Sequence, residues 1–215
     1  MAVEPIAKPS WRGVSHHMSF FVAIGAGAVL LALAPSPRAF WAGFVYVVSL
    51  LALFGVSAMY HRIQWNEAAR LRMKRLDHAT IFVFIAGSYT PICLLALDAD
   101  LGWRMLGWVW LGAGLGVARA VFWPGAPKAV SALLYVALGW LVVAYTPALW
   151  QAVGHFGMAA LAVGGVLYSV GAAVYACQRP DPNPRVFGYH EVFHALVVAA
   201  CVCHFAAIAR VVFTA

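Results

Sequence analysis

Apolar runs of bilayer length, one after another and separated by little more than a few charges, constrain this chain more than any other feature. Read between charges and Pro/Gly breaks, they cover approximately residues 17–34, 40–61, 76–97, 103–122, 129–149, 156–177 and 188–209. A helix needs about 20 predominantly apolar residues to cross the hydrocarbon core, so each run is close to spanning length. No run shows the period-two alternation of a half-buried strand. With 64% hydrophobic and 10% charged residues and a mean hydropathy of +0.85, the chain lies far from a water-soluble domain, which is typically about half apolar and a quarter charged. No stretch is polar and long enough to form a separate soluble domain. The expected fold class is therefore an all-α integral membrane protein, one seven-transmembrane-helix bundle covering residues 1–215.

The charges set an orientation. The net charge of +7 does not gather on a soluble face, which argues against nucleic acid as a partner; the basic residues punctuate the apolar runs. One side of the predicted bundle collects Lys8, Arg12, Arg62, Arg70, Arg72, Lys74, Arg75, Arg119, Lys128, Arg179 and Arg185, while the other receives Arg38, Arg104 and Arg210. By the positive-inside rule the N-terminus is expected in the cytoplasm and, after seven spans, the C-terminus outside. The first run also looks like a secretory signal, since Arg12 precedes an apolar stretch ending Ala32-Leu33-Ala34. Its length and Pro35 directly after the would-be cleavage site favour a span. Cys93, Cys177, Cys201 and Cys203 lie in apolar stretches without CxxC spacing, and read as small buried hydrophobes rather than disulfides or metal ligands.

Ionisable side chains in or beside a span are functional candidates by default. His61 closes the second run, Asp77 opens the third, and His190 and His194 open the seventh. The second runs inward and the other two start from inside, so all four arrive near the cytoplasmic ends of their helices. His190 and His194 are four apart, on one helical face, and Ser57 and His61 share that relation. Two histidines from one helix and one from another leave a fourth position open on a tetrahedral metal, as in catalytic zinc sites. Asp77 is placed to balance the charge or to hold a water at the metal. Zn2+ is expected over copper or iron, given borderline donors and no redox ligand. Ser57 has the alternative of bonding its own helix. Glu191 is expected to face the loop, His78 to be interfacial or a partner of the site, and His16, His17 and His155 to be interfacial. His204, about 15 Å further along the helix than His194, is expected to bond another helix. Pro91 in Gly87-Ser88-Tyr89-Thr90-Pro91 is expected to kink the third helix.

These segments together resemble the progestin and adipoQ receptor family, specifically its bacterial hemolysin III branch. The resemblance rests on Ser57-xxx-His61, the basic loop leading to Leu76-Asp77-His78, Gly87-Ser88-Tyr89-Thr90-Pro91, and His190-Glu191-Val192-Phe193-His194 continuing through His204-Phe205. It covers nearly the whole chain, in order. It implies zinc on His61, His190 and His194, with Asp77 holding the water at the metal and Ser57 close by. The family's eukaryotic adiponectin receptors are associated with hydrolysis of ceramide, so the resemblance implies a possible lipid amide hydrolase, though the sequence leaves enzymatic activity open. The expected setting is the bacterial inner (plasma) membrane, with membrane lipids as partners and a lipid substrate or free fatty acid between the helices. The competing expectations are a non-enzymatic sensor of lipid state, in which zinc is structural, and a cytolytic pore. Ion paths usually place ionisable groups near the midplane, whereas these gather at one end. The sequence fixes no oligomeric state.

Overall fold

The computed structural model describes residues 8–215, and among them every regular element is helical. In chain order these are α1 (Val14–Ala32), α2 (Pro37–Arg62), α3 (Glu67–Pro91), α4 (Ala99–Phe122), α5 (Lys128–Gly139), α6 (Thr146–Cys177) and α7 (Tyr189–Phe213). A π-helical turn, Ile92–Ala96, follows α3, and a 3-10 stretch, Trp140–Tyr145, joins α5 to α6. Six helical stretches are long and apolar enough to cross a membrane, and one of these is the 50-residue run Lys128–Cys177. Straight, 50 residues would reach about 75 Å, more than twice the hydrocarbon thickness. The run instead breaks at Gly154, whose φ of 65° and ψ of −176° leave the helical region. Its two ends lie side by side: Ala132 and Val136 of α5 pack with Ala172 and Tyr175 of α6, and Trp140 Nε1 donates to Ser169 Oγ at 2.8 Å.

Helix ends follow local chemistry. Ser36 caps α2 by accepting from Ala39 N–H, with Pro37 in the first turn; Asn66 caps α3 through Ala69 N–H, and Asp98 caps α4 through Leu101 N–H. Each cap satisfies a donor that the helix itself leaves free. The Asn66 cap corrects one sequence reading. The basic segment Arg70–Arg75, expected as a loop, is the first part of α3, which begins nine residues before the apolar run at 76. The expected disturbance at Pro91 takes the form of the π turn, in which Leu97 N–H reaches back to Ile92 C=O at 3.3 Å.

α2 carries the most regular buried stripe: Ala39, Ala42, Tyr46, Leu50, Leu53, Ser57 and His61 recur every three to four residues. That spacing puts Ser57 and His61 on the face turned to the bundle interior. Small residues let neighbouring backbones approach. Gly27 of α1 sits against Val47 of α2, Gly87 of α3 against Ser49 of α2, and Gly116 of α4 against the ring of Phe82, which is 1% exposed. Leu30, Ala39, Tyr46, Ile208 and Val212 centre the main apolar core. Cys93 and Cys201 are buried as expected, Cys177 is exposed, and all four cysteines are free.

Candidate metal centre

α2 and α7 meet at the end of the bundle where α1 begins. His61 closes α2, and His190 and His194 occupy the first two turns of α7. One nitrogen of each of these three histidines lies within 4.8 Å of the other two. His61 Nε2 and His190 Nε2 are 3.2 Å apart, and the ring centroids of His61–His194 and His190–His194 are separated by 5.1 and 4.5 Å. His61 and His194 are buried, and among the described residues His194 Nδ1 has no hydrogen-bond partner.

A cation answers this arrangement better than hydrogen bonding does. Two neutral imidazole nitrogens can share one proton, but three converging on one point leave lone pairs facing each other, and an orphaned buried polar atom is costly. Three imidazoles within reach of one point match the donor set of an open metal site. The residues present therefore fit a metal such as zinc.

Asp77 and Ser57 line the same cavity as His190 and His194. Ser57 is 2% exposed and faces the carboxyl of Asp77. Asp77 is not among the three residues whose ligand atoms converge, so it belongs to the wall of the site. From there the cavity runs along the bundle past Phe84, Ser88, Tyr89, Trp140 and Tyr168 to His204, and its lining is mostly apolar. A second cavity, lined by Leu149, Met158 and Leu161, shares Ser88, Tyr89, Trp140 and His204 with the first.

Other expectations divide. His204 Nε2 pairs with Leu161 C=O on α6 at 3.2 Å, the expected bond to another helix. His78 Nε2 lies 3.4 Å from Tyr175 Oη, a partner at the cavity wall. His17 and His155 are exposed. Two readings are overturned. Glu191, expected to face the loop, is 3% exposed; it forms an ion pair with Arg12 and accepts Gly188 N–H at 2.8 Å, closing the first turn of α7. His16, expected to be interfacial, is 3% exposed, lines the cavity and stacks on His194 with ring centroids 3.8 Å apart and planes 5° apart. Placing the first run at 17–34 leaves His16 outside the span, but α1 begins at Val14. With that start, the depth argument that selected Asp77 and His190 selects His16 too. Tyr175, whose ring centroid is 6.0 Å from that of His190, has no comparable signal, because one tyrosine in an apolar run looks like any other.

Comparison with known proteins agrees with this architecture. The family model described as haemolysin-III related matches residues 5–205. Hemolysin-3 of Bacillus cereus is 32% identical over 154 residues, covering 72% of this chain and 67% of that protein. The hemolysin-3 homolog of Bacillus subtilis (strain 168) is 27% identical over 197 residues, 90% of this chain and 89% of the relative. The human monocyte to macrophage differentiation factor is 27% identical over 171 residues, covering 77% and 68%. The match to the family model over nearly its whole length, together with membrane-capable helices throughout, places this chain in the haemolysin-III-related family of membrane proteins.

Proposed function

We propose that this chain is a zinc-dependent hydrolase acting on a lipid amide or ester at the inner leaflet of the bacterial inner membrane. It crosses the membrane seven times, with its N-terminus in the cytoplasm. The observation that carries the reading is the convergence of His61, His190 and His194 beside Asp77 and Ser57, at the end of a long apolar cavity. The seven crossings rest on the break at Gly154 and the side-by-side packing of α5 and α6, which fold the 50-residue stretch into two passes. One relative, the heptahelical transmembrane protein ADIPOR2 of Oryza sativa subsp. japonica, is 28% identical over 184 residues, covering 78% of this chain and 80% of that protein.

His61, His190 and His194 would hold the zinc, which when bound supplies Lewis acidity and a water more acidic than bulk. The protein's own residues do the rest. Asp77 accepts the proton from the attacking water as the water oxygen bonds to the lipid carbonyl carbon. Ser57 Oγ donates to the carbonyl oxygen as negative charge develops there. When the bond from carbon to nitrogen or ester oxygen breaks, the Asp77 carboxyl returns the proton to the leaving group. The apolar cavity takes the acyl chain and keeps bulk water from the reacting carbonyl.

Elemental analysis of detergent-purified protein is the first experiment, followed by a broad panel of lipid amides and esters. About one zinc per chain is expected, lost in His61→Ala and His194→Ala and kept in Asp77→Ala, with turnover abolished in all three. A zinc-loaded wild type with no turnover across the panel, indistinguishable from Asp77→Ala, would sink the hydrolase.

A second reading has its own observation. His61 ends α2 and His190 begins α7, with their Nε2 atoms 3.2 Å apart, so a shared ion would clip two helices distant in sequence. In a lipid-state sensor built this way, His61→Ala lowers thermal stability and Asp77→Ala leaves the membrane phenotype intact. Loss of phenotype in Asp77→Ala at unchanged stability rejects it.

A further inference from the structure

The turn that leads into α1 makes three contacts with the residues around the histidine cluster. Arg12 pairs with Glu191, which lies between the two α7 histidines and whose Oε2 accepts Gly188 N–H. Gly13 has a φ of +77° and lies so close to α2 that a Cβ there would stand 2.7 Å from Cβ of His61. His16 stacks on His194, and the ring centroid of Phe54 lies 5.1 Å from that of His16. The segment before this turn is anchored as well: Ser10 N–H donates to Arg185 C=O and Trp11 N–H to Val186 C=O, both at 3.1 Å.

We propose that the turn Arg12–His16 is a positioning element of the metal centre: it supplies no ligand but fixes the rings that do. The inference rests on the metal reading above. An imidazole ligand is normally oriented by a hydrogen bond from its other ring nitrogen to a carboxylate or carbonyl. The face of His16, parallel to His194 at 3.8 Å, takes that role by packing. His16 itself is not a member of the converging group, and a parallel stack presents a ring face rather than a nitrogen to its neighbour. Gly13 does the same for His61 by close backbone approach, which a Cβ would abolish. The Arg12–Glu191 pair fixes where α7 starts, and so the height of both its histidines.

The test uses the full-length chain in detergent with Co2+ alone as the probe, reading the dissociation constant by chelator competition and the coordination geometry by visible absorption. His16→Ala is expected to bind about tenfold to hundredfold more weakly, the usual cost of losing an orienting partner, with an altered absorption band. His16→Phe, which keeps a ring face, is expected to stay near wild type. Gly13→Ala reaches the same ligand set without emptying the His16 site, and is expected to weaken binding even if His16→Ala folds poorly. Wild-type affinity and spectrum in both alanine variants would overturn the proposal. So would a loss in His16→Phe as large as in His16→Ala, because His16 would then act through a nitrogen. Absence of Co2+ binding in the wild type removes the metal reading itself, an outcome distinct from either.

Discussion

The Arg12–Glu191 ion pair joins the turn before α1 to α7, and its two partners are unequally placed. The Glu191 side chain is 3% exposed and that of Arg12 is 21% exposed. Replacing Arg12 by Gln leaves the carboxylate buried without its counter-charge. Breaking a fully buried pair this way costs about 3–5 kcal/mol, and the partial exposure of Arg12 brings the expected loss to the bottom of that range, about 3 kcal/mol. Glu191→Gln differs, because the amide oxygen still accepts Gly188 N–H while Arg12 turns to water, and about 1–2 kcal/mol is expected. In the double variant no uncompensated charge remains, so its loss should fall short of the sum of the single losses by about 1–3 kcal/mol, within the range for residues in contact. Thermal unfolding of the metal-free chains in one detergent measures all four corners of the cycle. Equal single losses that simply add would refute the argument, because the pair would then be an exposed contact and not a buried one.

The remaining expectations concern packing, the broken helix, the metal and the orientation. Gly87→Ala drives a methyl group into Ser49, whose Cβ would be 2.6 Å away with Val45 C=O at 3.4 Å; a loss of about 1–3 kcal/mol in thermal unfolding is expected. Tyr89→Phe removes the hydroxyl that donates to Gly139 C=O at 2.6 Å and accepts Val142 N–H at 3.1 Å; about 1–3 kcal/mol should be lost, with faster hydrogen exchange at Val142. Zinc at a hundredfold excess over its dissociation constant should stabilise the wild type by about 2.7 kcal/mol over chelator-treated protein, and His61→Ala should show no such difference. For orientation, single cysteines at Lys8 and Asp100 are expected to react with a membrane-impermeant thiol reagent from opposite faces, Lys8 only in inside-out vesicles.

What the sequence made legible was depth. Apolar runs and charge bias assign a height to every residue near a helix end, and height alone selected His61, Asp77, His190 and His194. Rotation about each helix was legible where period and partner coincided, as in the Ser57–His61 stripe of α2. It was not legible for Glu191, whose partner Arg12 is 179 residues away, because nothing local reveals a pairing across that distance. His16 was lost through a boundary error of three residues, small for a span yet nearly a whole helical turn for a side chain. The 3-10 stretch at Trp140–Tyr145 was also hidden: Trp140-Leu141-Val142-Val143 reads as an ordinary apolar span, and the hydroxyl that supports the break comes from Tyr89 on another helix.

That break has a consequence for how the chain can evolve. Lipid cannot hydrogen-bond a backbone, so peptide groups that leave the regular α-helical pattern at membrane depth persist only where protein or a cavity surrounds them. Gly139 and Trp140 both border the two neighbouring cavities, and Tyr89, which bonds the loosened backbone, borders them too. Restoring a regular helix through 140–145 would move Trp140 and withdraw the partners of the Tyr89 hydroxyl. Filling the hollow with larger side chains would press on the same peptide groups. Hollow and break therefore stand or fall together, and descendants of this chain can drift in the width of the hollow far more easily than they can lose it.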